Sequence, residues 1–326
     1  MLLQAPFLNV QPLLDGIMVG AIFALAAYGM ALVWGVMNII NVAQGEFVIL
    51  GGYITFAVFK AGIHPVLGMP VSFFVLFILG YLIYRLIIFR VVDKDMFISI
   101  LATFGISIMI QQIMNMIFGS QVETALSGFG TIFLFNGNIT IALIKLFSFV
   151  VCIIGALSII YFMKVSKMGR AIRATAQNAR AARILGVDTE KVYAYTYALN
   201  AAICGLAGSL VAMTYTLHPY IGLPYTVRSF MIVIVAGIGN IPGVLASGLG
   251  LGAVEEFSSY LIGTEFRIGI VFLLLVVIFL LLGFVLLQRA FHLQFQFFLL
   301  VFHLNCLMYH FLILLKEILL KLCLQL

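Results

Sequence analysis

Charge is what this sequence has least of: 9% of its 326 residues are Asp, Glu, Lys or Arg, against 64% hydrophobic. A soluble domain needs roughly 25% charged residues to cover its exterior, so a water-soluble globule is excluded and the chain reads as an integral membrane protein. A phosphate-cradling G-x-x-x-x-G-K-[ST] loop is also missing, which excludes ATP hydrolysis by that route. No paired carboxylates, His/Cys cluster or Ser/His arrangement stands at catalytic spacing, so the chain reads as a non-enzyme without cofactor or metal. Basic surface interleaved with aromatics is absent despite a net charge of +6, which argues against nucleic acid; the cations collect at membrane edges and report orientation. The opening MLLQAPFLNVQPLLDG lacks the basic stretch and cleavage pattern of a signal peptide, so the first apolar segment is expected to persist as a helix. Cys152, Cys204, Cys306 and Cys323 all lie in apolar runs and read as small core hydrophobes.

What is there is a succession of apolar stretches, each near the ~20 residues that cross a hydrocarbon core. Breaks at charge and turn clusters predict spans near 13–37, 39–60, 66–89, 96–118, 139–163, 191–217, 227–258 and 267–287. The expected fold is therefore an all-α, polytopic membrane protein of about eight transmembrane helices, with the tail 288–326 able to add a ninth. Lys/Arg-rich loops stay in the cytoplasm. The two richest hold Arg85, Arg90 and Lys94, and the segment 164–191; two spans separate them, so both can face that side. Residues 119–138 and 217–226, and the N-terminus, are then expected outside.

Two spans look interrupted, one in each half. In VMNIINVAQGEFVILGG the polar Asn38, Asn41, Gln44 and Glu46 fall where a spanning helix should be apolar, and a charge at membrane depth costs ~2.5–3.5 kcal/mol. In VAGIGNIPGVLASGLGLG, Gly237, Gly239 and Gly243 with Pro242 predict a helix break. Broken spans are the usual pointer to a transport path, and Asn38, Asn41, Gln44, Glu46, Gly237, Gly239, Asn240, Gly243 and Glu255 are the candidates to line it. The competing reading puts Glu46 at the interface and lets the glycines pack helices closely, as the spacings Gly16/Gly20 and Gly248/Gly252 do.

Seven of the seventeen cations lie in KVSKMGRAIRATAQNARAARILGVDTEK: Lys164, Lys167, Arg170, Arg173, Arg180, Arg183 and Lys191. On one helix over 170–185, Arg170, Arg173, Gln177, Arg180 and Arg183 share an arc opposite Ala171, Ala174, Ala181, Ala182 and Leu185. Gly169 offers a flexible entry, Gly186 an exit, and Asp188 a cap for the next span. A basic anchor on anionic headgroups, a calmodulin-like target and a docking helix for a partner protein all fit a basic loop. Bounded length and a small-residue face favour docking.

The segment MGRAIRATAQNARAARILGVDTEKVYAYTYALNAAICGLAG resembles the cytoplasmic loop and following helix of permeases in the branched-chain amino-acid uptake family of bacterial ABC importers. The likeness extends to GAIFALAAYGMALVWGVMNIINVAQGEFVILGGY, to HPYIG and to AGIGNIPGVLASGLGLGAVEE, over roughly residues 12–287. It implies an inner-membrane permease domain over 1–287 with a coupling loop at 164–190, and an atypical apolar tail at 288–326. It also implies four kinds of partner: a second related permease, two ATP-binding cassette subunits, an external substrate-binding protein and membrane lipid. In such importers the loop helix seats in the ATPase, which makes Gly169, Arg170, Arg173, Ala174, Asn178, Arg180, Ala181, Arg183 and Gly186 the coupling candidates. Relatives that carry urea or short amides, and an ion-coupled secondary transporter using Glu46, are the alternatives. Where the family typically reads NFAHGE this chain reads NVAQGE, so Gln44 offers no titrating imidazole. In the tail, His292, Gln296, His303, Cys306, His310, Glu317 and Lys321 share a helical face, but ligands spaced i, i+7 stand ~10 Å apart, too far for one ion.

Overall fold

The structure is a computed structural model that describes residues 6–92, 94–134, 139–237, 239–267, 269–278 and 280. The chain divides into two compact units, Met1–Phe272 and Leu273–Leu326; the first is described here. The polar stripe of the tail 288–326 lies outside the described residues, as do Cys306 and Cys323.

Ten α-helices lie wholly among the described residues of this unit: α1 (Pro6–Met37), α2 (Gln44–Lys60), α3 (Gly68–Leu86), α4 (Met96–Phe118), α5 (Leu143–Val165), α6 (Lys167–Gln177), α7 (Ala179–Ile184), α8 (Thr189–Thr214), α9 (Gly222–Ala236) and α10 (Ile241–Ile262). Five described segments are long and apolar enough to cross a membrane: Val10–Met37, Pro65–Arg90, Met96–Phe118, Leu143–Val165 and Thr189–Thr214. The first and last of these are almost wholly buried, whereas those of α4 and α5 are mostly open to the surroundings. α1 and α8 are thus the core. Small residues let the helices around them approach: Gly16 faces Gly252 and Gly20 faces Gly248 across α1 and α10, and Gly51 and Gly205 meet across α2 and α8.

Contacts fix the directions. Gln11 near the start of α1 bonds Thr140, and Glu123 pairs with Leu217, so these segments share one end of the bundle. Tyr81 of α3 meets Tyr195 of α8, which brings the two basic loops to the other end. α1 and α8 are antiparallel, since Gly29 meets Asn200 while Gln44 reaches both Ala26 and Cys204. α2 runs parallel to α8, with Gly51 opposite Gly205 and Thr55 bonded to Ser209. α9 runs parallel to α1, with Phe23 on Tyr225 and Trp34 stacked on Phe230. Each long core helix is therefore followed by a non-helical stretch, 38–43 or 215–221, and then by a short helix lying along the other half's long helix. This inverted arrangement of two halves leaves no repeat visible in the sequence, because only backbone direction, not residue identity, is shared.

Several expectations are corrected. The span expected over 227–258 is two helices: the chain reverses between the end of α9 and the start of α10, where Gly237 and Gly239 adopt φ of 84° and 85°, and α9 and α10 pack side by side. Gly237, Gly239 and Asn240 are exposed, Gly239 lying beside Gly35 near the end of α1. The span expected from 139 begins as a helix only at Leu143, because Thr131–Leu134 and Ile139–Ala142, rich in β-branched residues, pair as an antiparallel hairpin. The single basic helix over 170–185 is α6 and α7, divided at Asn178, whose φ of −158° and ψ of 102° are extended. Its side chain explains the division, since Asn178 Oδ1 accepts from Ala181 N at 3.0 Å and caps α7.

Candidate functional site

The first half's interruption is where the sequence analysis places it, and its geometry is a junction of two helix starts. Asn38 has φ of 54°, the sole positive φ on a non-glycine among the described residues, and turns the chain out of α1. Residues 39–43 then climb back along the core without helical bonds. Backbone of that kind survives in a membrane only where protein satisfies it, and here two threonines do so. Thr103 of α4 accepts from Val42 N at 3.2 Å and lies 3.1 Å from Ile40 O. Thr226 of α9 accepts from Gly45 N at 2.8 Å and donates to Val42 O at 3.0 Å. The Gln44 amide donates to Ala26 O at 2.8 Å and to Cys204 Sγ at 3.0 Å, and its oxygen takes Asn41 Nδ2 at 3.3 Å. Ala26 is well inside α1, ~16 Å of helix rise from Met37, so this polar cluster is deep in the bundle.

Thr226 joins α2 to α9, and the two helices begin against each other: a Cβ on Gly45 would overlap the Gly222 carbonyl, and one on Gly222 would overlap the Glu46 carboxylate. Glu46 is 2% exposed. Ser107 Oγ donates to its Oε1 at 3.5 Å, and its Oε2 has no hydrogen-bond partner among the described residues. A carboxylate in the first turn of α2 and against the first residue of α9 meets the positive ends of two helix dipoles at once, which offsets part of its burial cost. Asn41 and Gln44 are bonded to each other, Glu46 is held separately against Ser107 and Gly222, and Asn38 stays exposed at the end of α1.

Glu255 does not join them. It is the acceptor of a buried ion pair with Arg228, whose Nε lies 3.0 Å from Oε2 and Nη2 2.6 Å from Oε1. The guanidinium also sits over the Phe23 and Tyr225 rings, 4.8 and 5.6 Å from their centroids. Arg267 Nε stands 3.1 Å from Glu255 Oε1, and its Nη2 pairs with Glu256. Arg228 was missed by the sequence reading, although a lone cation in TVRSFMIVIVAG is itself the signal, since buried charges in membranes come in pairs. Asn240 caps the start of α10, its Oδ1 accepting from Gly243 N at 3.2 Å.

In the basic segment, Ser166 Oγ caps α6 through Gly169 N at 2.7 Å. Gly169, Ile172, Thr175 and Ala182 face the protein, whereas Arg170, Arg173, Arg180, Ala181 and Arg183 are exposed. Ala174 is half-buried and Asn178 exposed. The exposed face is not small: Ile184 and Leu185 are 86% and 83% exposed, just before Gly186, whose φ of 85° ends the segment. Asp188 caps α8; the Lys191 backbone amide, then its ammonium, holds that carboxyl below the usual carboxylate range.

The family model described as "Branched-chain amino acid transport system / permease component" matches residues 13–282. Among curated relatives, the high-affinity branched-chain amino acid transport system permease protein LivH of Escherichia coli K12 is 31% identical over 287 residues, 82% of this chain and 91% of the relative. The corresponding protein BraD of Pseudomonas aeruginosa is 30% identical over 283 residues, 82% of this chain and 92% of the relative. A probable branched-chain amino acid transport permease protein LivH of Methanocaldococcus jannaschii is 29% identical over 275 residues, 80% and 85% of the two chains. No solved structure matches the chain.

Proposed function

The chain belongs to the family of permease components of branched-chain amino acid transport systems, and on that premise we propose that it carries leucine, isoleucine and valine across the cytoplasmic membrane as one subunit of an ATP-driven importer. The observation that carries this reading is the extent of the family match, 13–282, which takes in both the buried junction at Glu46 and the basic segment at 164–190. The chain is a multi-pass membrane transport subunit; it does no chemistry on its substrate. Two ATP-binding cassette subunits would hydrolyse ATP, a second permease would complete the path, and an external binding protein would deliver the amino acid.

In this scheme α6 and α7 seat on an ATPase subunit, with Arg173, Arg180 and Arg183 in charged contact and Ile184 and Leu185 as apolar anchors. α6 packs on α5, α1 and α8, so a pull on it reaches the core helices directly. Closure of the ATPase pair would bias a bundle with two stable packings rather than deform one continuously. The α2–α9 junction is where such a change would open or close a route, because two helix starts meet there and no continuous helix has to be broken.

The test is uptake of labelled leucine into vesicles holding this chain with its co-purifying subunits. ATP-dependent uptake competed by isoleucine and valine supports the reading. Competition by urea or acetamide instead would move the substrate to short amides, and uptake that persists without an ATPase subunit would mark an ion-coupled transporter.

A further inference from the structure

Between α5 and the core lies a lateral cavity of about 360 Å³, lined by Leu25 of α1, Phe73 of α3, Ile203 of α8 and, on α5, Gly155, Ser158 and Phe162. It exists because Gly155 puts no side chain beside Leu25, whose Cδ1 would stand 3.2 Å from a Cβ there. Its one hydroxyl, Ser158 Oγ, donates to Ile154 O at 2.7 Å within the same helix, so the cavity offers no free donor. Water needs 2–4 polar partners to stay in such a space, and a zwitterion would lose its solvation without return. Hydrocarbon is what fits. The α5 part of the lining, Val151 to Phe162, covers ~16 Å of helix, about half of the ~30 Å hydrocarbon core and so the depth of one leaflet.

The basic end of the cavity has a chemistry of its own. The Phe162 carbonyl would stand 2.5 Å from a Cβ on Gly169, so the first turn of α6 closes directly over the cavity's last residue. Arg170 follows Gly169; its Nη1 donates to Val165 O at 2.7 Å, and Arg173 Nη2 lies 3.4 Å from Lys164 O. These bonds hold both guanidinia at the mouth but neutralise neither. Among the described residues, Lys164, Lys167, Arg170 and Arg173 have no carboxylate in ion-pair reach. A guanidinium keeps several donors free in a fork that matches a phosphate. We propose that this seam binds an anionic phospholipid, one acyl chain in the α1–α3–α5–α8 cavity and the headgroup phosphate on Arg170.

The test is native mass spectrometry of the full chain in mild detergent, titrated with phosphatidylglycerol or phosphatidylcholine, and repeated on the assembled importer. One phosphatidylglycerol should be retained, preferred over phosphatidylcholine by roughly fivefold, the weight of one interfacial cation. Gly155→Phe fills the cavity and should abolish retention; if that variant fails to fold, Ser158→Leu projects into the same space. Arg170→Gln should keep a lipid while levelling the two headgroups. Equal retention of both lipids by the unaltered chain, or full retention by the filled variant, overturns the proposal. So does retention by the isolated chain that vanishes in the importer, which assigns the groove to a partner subunit.

Discussion

At position 46 a carboxylate stands where the amino ends of two short helices meet, with one oxygen on Ser107 and the other without a partner among the described residues. Glu46→Gln, which keeps the volume and removes the ionisable group from the α2–α9 junction, is expected to lower uptake about tenfold while the ATPase still co-purifies. Normal uptake would take the carboxylate out of the path. The second buried charge site behaves differently because its members are paired. Removing one partner of a buried pair typically costs ~3–5 kcal/mol, and Arg228→Leu should fall at the low end because Arg267 remains beside Glu255. Arg228→Leu with Glu255→Leu should recover most of the loss, read as the melting temperature of the solubilised chain; a double variant no more stable than the worse single one would mean the pair is not the unit.

At the scale of elements, the basic segment is two short helices with separate caps, Ser166 for α6 and Asn178 for α7. Arg173 and Arg180 therefore ride on different helices, and their reversal to Glu should act separately. Each single reversal is expected to weaken ATPase co-purification, the double to lose it, with membrane insertion unchanged; a double variant that still couples ATP hydrolysis to uptake rejects the docking role. The sequence showed where these charges gather and that Gly186 ends the segment. It did not show the division, since an Asn in a run of alanines and arginines satisfies helical periodicity as well as it satisfies a cap. Exposed Ile184 and Leu185 were hidden for the same reason: Leu185 falls on the alanine arc of one continuous helix, and only the break reveals both as free.

At the scale of the whole molecule, the two basic loops share one end and the β hairpin, the Glu123–Leu217 pairing and the start of α1 share the other. Single cysteines in a background stripped of native ones test this: Gly128→Cys should react with an impermeant thiol reagent from outside intact cells, and Ile184→Cys only after permeabilisation. Labelling of both from one side would refute the arrangement.

Sequence alone determined the membrane class, the break after Asn38, the basic segment and the family, because these rest on composition, on polar residues where lipid forbids them and on short motifs. It also marked Gly16/Gly20 and Gly248/Gly252 as close-packing pairs without saying that they pack on each other. Only the tertiary structure decided that Gly237 and Gly239 lie in a turn between α9 and α10 and that Asn240 caps the latter, since a glycine-proline run is compatible with a kink and with a turn. It alone joined Glu255 to Arg228, 27 residues apart, and Glu46 to the start of α9. Those pairings are between helices, and the free energy that selects them, satisfying buried polar groups in a medium without water, belongs to the bundle and not to any one segment of it.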